Sequence, residues 1–325
     1  MDTDNVARAR GPRNLGRAGL AAIAWIALLP GGELAAQPVP AGAPPAPATV
    51  SSSVGANLNI SPKRVTFDRN KRSATVFIFN QGTATATFDI ALVDRVMLPD
   101  GQIMPSADAE AKPELKAIVD HQRSAKEMIV VTPRRAVLAP GKGQTIRLRV
   151  EPAADATGEY RTTLTVTTVP PRNAGLTAEQ AAAGNPGELR FVINSAFGLS
   201  IPLILRMGPP EVKASIENAK LEYANISPDG VTPPKRTAVV SFDLVRLGSS
   251  SLFGNVEIRD TKVRGGDPLG VARGVGVYPE INRRSMRLPL TTAPTPGDPL
   301  QITFSDDDTS PGTVLGQASV ENSKP

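Results

Sequence analysis

Few residues in this 325-residue chain are of the types that do covalent or metal chemistry: there is one histidine and no cysteine. His121 follows Asp120, with Ser124 close behind, a set that would suit a nucleophile, a general base and an orienting acid. A hydrolytic triad needs those groups to converge in space, whereas neighbours along a polar, helix-like segment do not, and no nucleophile elbow is visible. Asp306-Asp307-Asp308 is expected to be a solvated turn rather than a calcium loop. Gly141-Lys142-Gly143 lacks the spacing of a phosphate loop. One histidine without cysteine does not furnish a dedicated transition-metal site. The chain is therefore expected to be no enzyme and to carry no cofactor and no metal.

The first residues bound the compartment. Arg8, Arg10, Arg13 and Arg17 precede an apolar stretch from Ala18 to Leu29, and Leu34-Ala35-Ala36 forms a signal-peptidase site before Gln37. Residues 1–36 thus read as a secretory signal. The apolar stretch is shorter than the roughly 20 residues that span a bilayer, and no later window is apolar enough to do so. The expected product is a soluble periplasmic protein, not an integral membrane protein. Without cysteine it relies on ordinary cores rather than disulfides. Four arginines against Asp2, Asp4 and Glu33 leave +1 in this segment, and +4 of the formal +5 in the remainder. Charges of both signs are interspersed there with no aromatic stacking set, which argues against nucleic acid as a partner.

Residues 37–56 form a Pro/Ala/Ser tether with almost no large apolar residue, expected to be disordered. Short strand-like runs follow: Val65–Phe67, Thr75–Phe79, Phe88–Val93, Ile129–Val131, Ile146–Val150 and Tyr160–Val169. Turn signals such as Pro99-Asp100-Gly101 separate them. This spacing predicts an immunoglobulin-like sandwich. Ser106–Glu127, rich in Ala, Glu and Lys, predicts a short surface helix limited by Pro113, and Thr177–Gln180 has capping-box spacing for another. Met207-Gly208-Pro209-Pro210 marks a domain boundary. Beyond it, seven further runs between Val212 and Val320 read as a second sandwich. The expected fold is all-β, with two immunoglobulin-like β-sandwich domains, 57–206 and 207–325, joined at a hinge with a cleft between them.

One run stands apart. From Phe191 to Leu205 every odd position except Ser195 is apolar, the alternation of a strand. Its fifteen residues would reach roughly 50 Å at about 3.3 Å per residue, more than one small sandwich can bury. Pro202, which has no backbone donor, places the strand at an edge or a bulge. A chain that keeps an apolar edge has a use for it in pairing with another chain.

Several segments together resemble the PapD-like periplasmic chaperones of chaperone–usher pili. They are Ile60-Ser61-Pro62-Lys63-Arg64-Val65-Thr66-Phe67, Val131-Thr132-Pro133-Arg134-Arg135 running on to Ile146-Arg147-Leu148, Val169-Pro170-Pro171-Arg172, and Ile201-Pro202-Leu203-Ile204-Leu205-Arg206. The resemblance covers about residues 58–206 and is weak beyond them. It implies a chaperone that completes a pilus subunit's sandwich with its own long edge strand and hands the subunit to an outer-membrane usher. The donated side chains would be Ile193, Phe197 and Leu199, with Phe191 as an addition, while Ile201–Leu205 stay in the chain's own core. Arg64 would anchor the subunit's terminal carboxylate. The family's second anchoring cation is replaced by Pro202, leaving Lys63 or another cation to substitute. Glu159 and Arg206 match an interdomain ion network, with Asp298 as its third member. The alternative is a secreted pilus subunit or adhesin of β-sandwich fold, for which residues 37–56 are unsuited as an N-terminal donor segment.

Overall fold

The computed structural model describes residues 57–170, 196–227, 229–262 and 266–322. The segments expected to be a signal (1–36) and a tether (37–56), together with Thr177–Gln180, Phe191 and Ile193, lie outside them. Of the eighteen strands among the described residues, numbered in chain order, sixteen build two sandwiches. In the first, one sheet runs β1 (Leu58–Ser61), β3 (Ser73–Asn80), β9 (Gly143–Val150), β7 (Ile129–Thr132). The facing sheet runs β2 (Val65–Asp68), β11 (Gly198–Met207), β10 (Gly158–Val169), β4 (Ala86–Val93), β8 (Arg135–Leu138). Alternating apolar positions from both sheets, among them Phe67, Ile78, Phe88, Ile146, Leu148, Leu164 and Val166, close over a buried core. Ile201, Leu203 and Leu205 of β11 belong to it, each contributing about 1.5–3 kcal/mol by burial.

The second sandwich packs β12 (Ala214–Ile226), β13 (Lys235–Arg246) and β16 (Arg283–Pro289) against β15 (Gly270–Val277), β14 (Leu252–Asp260), β17 (Leu300–Asp306) and β18 (Val314–Val320). Its core holds Phe242, Leu244, Val256, Ile258, Ile302 and Phe304.

Between β4 and β7 the chain leaves the first sandwich. It forms a hairpin, β5 (Arg95–Met97) and β6 (Ile103–Pro105), then two short helices, α1 (Ser106–Glu110) and α2 (Lys116–Asp120). The single helix expected over Ser106–Glu127 is divided because Pro113, lacking an N–H, cannot continue α1 and instead opens a separate 3-10 turn. The hairpin turn carries Gly101 at φ +87°, with the Arg284 side chain lying where a β-carbon would stand. Pro99 accepts a 2.7 Å hydrogen bond from the Ser285 N–H of β16. This excursion, with Met97 inside the second core and Ile118 packed against it, joins the two sandwiches, and Ile204 of β11 enters the same core.

Candidate functional site

The β11 strand has two different neighbours. Along β10 it is paired from Gly198 to Met207, but on its other side β2 runs parallel to it only from Leu203 to Arg206. Gly198 to Pro202 therefore pair with no strand on that side among the described residues. Thr168 donates to the Phe197 carbonyl at 2.7 Å, and the Phe197 N–H donates to Thr168 Oγ1 at 2.8 Å. Backbone groups alternate in direction along a strand, so Leu199 and Ile201 also face β10, while Gly198 and Ser200 turn theirs to the open edge. Pro202 shares this outward set and sits opposite Thr163, so its missing N–H costs the β10 ladder nothing.

The side chains change character along the same length. Ile201, Leu203 and Leu205 are sealed in the first core, Leu199 is half-buried at its rim, and Phe197 is 57% exposed. The apolar face thus continues past the end of the sandwich that covers it.

At the other end of β11 the opposite face meets the second sandwich. Glu159 lies across from Arg206, and Arg161 across from Ile204, both at the positions where antiparallel side chains approach most closely. Arg206 Nε donates to Glu159 at 2.9 Å and its Nη2 to Asp308 at 2.7 Å. Glu159 also accepts from the Ser251 N–H at 3.2 Å. Arg64, one residue before β2, donates through Nη2 to the same oxygen of Asp308 at 2.9 Å and lies 4.5 Å from the centre of the Phe253 ring. The exposures of the Arg64 and Asp308 side chains are only 11% and 14%. Burial resists ionisation of Asp308, but Arg64 and Arg206 outweigh it and hold the carboxyl below its ordinary range. Burial likewise opposes the charge on Arg206, and Glu159 with Asp308 more than restore it.

No protein-family model and no curated protein matches the chain. Solved structures do match. The Pseudomonas aeruginosa CupB2 chaperone is 13% identical, with 82% of this chain and 100% of that one covered at a TM-score of 0.38. The E. coli chaperone DraB is 12% identical over 82% and 96% of the two chains, with a TM-score of 0.38. The CsuC–CsuE chaperone–tip adhesion subunit complex of Acinetobacter baumannii gives 12%, 81%, 98% and 0.38 in the same order. Its neighbours among solved structures are fimbrial chaperones.

Two expectations are corrected. Asp298 is not in the network: it pairs with Lys262 at 2.7 Å, because it precedes β17 whereas the network lies beyond that strand's far end. Seven residues of β17 put about 20 Å between the two ends. The third member is Asp308. The Asp306–Asp308 run is accordingly no solvated turn. Asp306 is 2% exposed, and its carboxylate accepts from the Asp308 and Ser310 N–H groups at 3.2 and 2.6 Å and from Thr309 Oγ1 at 2.5 Å. Lys63, considered as a substitute cation, bonds Asn59 at 3.1 Å on the surface.

A second buried pair between the sandwiches has no signature in the sequence. Arg161 of β10 is bonded to Glu280, both nearly inaccessible, and stacks 4.0 Å from the centre of the Tyr278 ring. Glu280 accepts from the Met97 N–H at 2.9 Å as well. His121 lies elsewhere, exposed at the C-terminal end of α2, its Nδ1 against the Ala117 carbonyl, and Ser124 bonds Asp94. Among the described residues no helix is long and apolar enough to cross a membrane.

Proposed function

We propose that the chain is a periplasmic, non-enzymatic chaperone that captures pilus subunits by lending them the open edge of β11 and delivers them to an outer-membrane usher. The observation that carries this reading is the edge itself: outward-facing backbone at Gly198 and Ser200 without a partner strand among the described residues. It sits beside an apolar face that emerges from the core at half-buried Leu199 and is exposed at Phe197. Ladder bonds give such an edge generic affinity for an extended chain, and the alternate apolar side chains fill the groove of an incomplete sandwich. Phe191 and Ile193 continue the alternation as further donors. Arg64, beside the start of β2, anchors the subunit's terminal carboxylate. The ion network of Glu159, Arg206 and Asp308 fixes how the two sandwiches meet. In this reading residues 1–36 are the cleaved export signal, 37–56 the tether, and 57–206 and 207–325 the two domains.

The test is co-purification from the periplasm with identification of the bound chain. Recovery of a β-sandwich pilus subunit supports the proposal. Recovery of the chain alone, from cells that are assembling pili, contradicts it.

A further inference from the structure

The Arg64 guanidinium is buried yet only partly used. Its Nη2 reaches Asp308 and, at 3.4 Å, Ser251 Oγ, while Nε and Nη1 have no hydrogen-bond partner among the described residues. Buried donors left unpaired carry a desolvation cost and so mark a place where an acceptor is wanted. The bonded cluster is already charge-balanced, however. Arg64 and Arg206 supply two positive charges and Glu159 and Asp308 two negative ones, with one Asp308 oxygen shared by both arginines. A fifth charged group, the carboxylate of a captured chain, would leave the cluster net negative in a poorly solvated place, which is unfavourable.

We propose that Asp308 is an internal stand-in for the incoming carboxylate: it holds Arg64 in the unloaded chaperone and gives it up, while keeping Arg206, when a carboxylate-ended chain arrives. This rests on the reading of Arg64 as the anchor given above. Asp308 is suited to the exchange because its two partners are separable. Arg206 is gripped independently by Glu159 on its own sandwich, so the contact between sandwiches survives when Arg64 leaves. Asp306 holds the loop backbone through the Asp308 and Ser310 N–H groups, leaving the Asp308 side chain free to swing without unravelling the loop. Filling the vacant Nε and Nη1 is the drive for the exchange. The loss of the Arg64–Asp308 bond is its cost, and it falls only on a chain that brings a carboxylate, since any other leaves Arg64 on Asp308.

The experiment uses a synthetic strand peptide of alternating valine and threonine, made with a free C-terminal carboxylate and as its amide. Binding of each to the purified full chain and to Asp308→Asn is measured by calorimetry. With the competing charge removed, the free acid is expected to bind Asp308→Asn about tenfold more tightly than the wild type, a charge-assisted hydrogen bond being the interaction released. The amide is expected to gain little. Free acid tighter than amide on the wild type, with no gain in Asp308→Asn, overturns the stand-in and leaves Arg64 as the anchor. Free acid and amide binding alike on both proteins, or neither binding either, overturns both. If Asp308→Asn does not fold, the wild type carries the same test: the Asp308 carboxyl carbon resonance must move on adding the free acid and stay in place with the amide. An unmoved resonance on saturation with the free acid refutes the proposal.

Discussion

Arg161 and Glu280 form a buried ion pair between the two sandwiches, bracketed by the Tyr278 ring on one side and the Met97 N–H on the other. It stands two residues along β10 from Glu159, whose partner is Arg206. One short stretch of strand thus holds two opposite charges, each answered by a buried opposite charge.

Removing one partner strands the other charge in a buried site. Glu280→Ala is expected to destabilise the fold by about 3–5 kcal/mol. Glu280→Gln, which keeps an acceptor for the Met97 N–H, is expected to cost less. Urea unfolding of both variants measures the difference, and an equal loss would show that the charge is immaterial.

Phe197→Asp places a carboxylate on an exposed site, so the free chain is expected to keep its stability to within about 0.5 kcal/mol. Leu148→Asp buries one in the first core, where Leu148 is 1% exposed, and is expected to prevent folding. Co-expression with the subunit separates function from fold: Phe197→Asp is expected to lose subunit recovery although it melts like the wild type.

Pro202→Lys adds an ammonium on the outward-facing side of β11, at the register position beside Arg64. It is expected to tighten binding of a carboxylate-ended peptide about tenfold without changing that of the amide. The proline contributes no ladder bond to β10, so the melting temperature is expected to stay close to that of the parent.

Acid is expected to weaken the fold. Asp308 is held below its ordinary range by Arg64 and Arg206 against the opposing effect of burial, Asp243 chiefly by Asn218 and Glu222 chiefly by Arg287. Such carboxyls bind fewer protons folded than unfolded, so their contribution is present above the unfolded value of about 4 and is lost as pH falls through the lower folded values. Thermal melts are expected to change little between about pH 7 and 5 and to fall below about pH 4. The acid decline is expected to be shallower in Asp308→Asn.

The strands were legible because their period was. Phe88–Val93, Tyr160–Val169 and the runs beyond Val212 alternate apolar and polar residues, and each is a strand in the structure. Arg135–Leu138 pairs with β4 but hides its period, because Val137, apolar yet exposed, stands between the buried Ala136 and Leu138. Glu159 and Arg161 occupy the polar phase of β10, which in a lone sandwich faces water. Only the crossing of the second sandwich buries them, and that crossing leaves no trace in the local pattern of β10. A trace does exist in β11, where Leu203, Ile204 and Leu205 are apolar in succession, the mark of a segment covered on both faces. Asp308 was hidden for a different reason. Three consecutive aspartates look like a hydrated turn, and only the Asp306 bonds to the loop backbone turn the third towards the arginines.

The most direct test of strand lending is residue-resolved hydrogen exchange along β11 in the free chain and in its complex with a co-purified, identified subunit. Leu199 and Ile201, whose N–H groups face β10, are expected to be protected in both. Gly198 and Ser200, which face the open edge, are expected to exchange rapidly when free and to become protected on capture. A stable complex in which Gly198 and Ser200 still exchange as in the free chain would contradict the account.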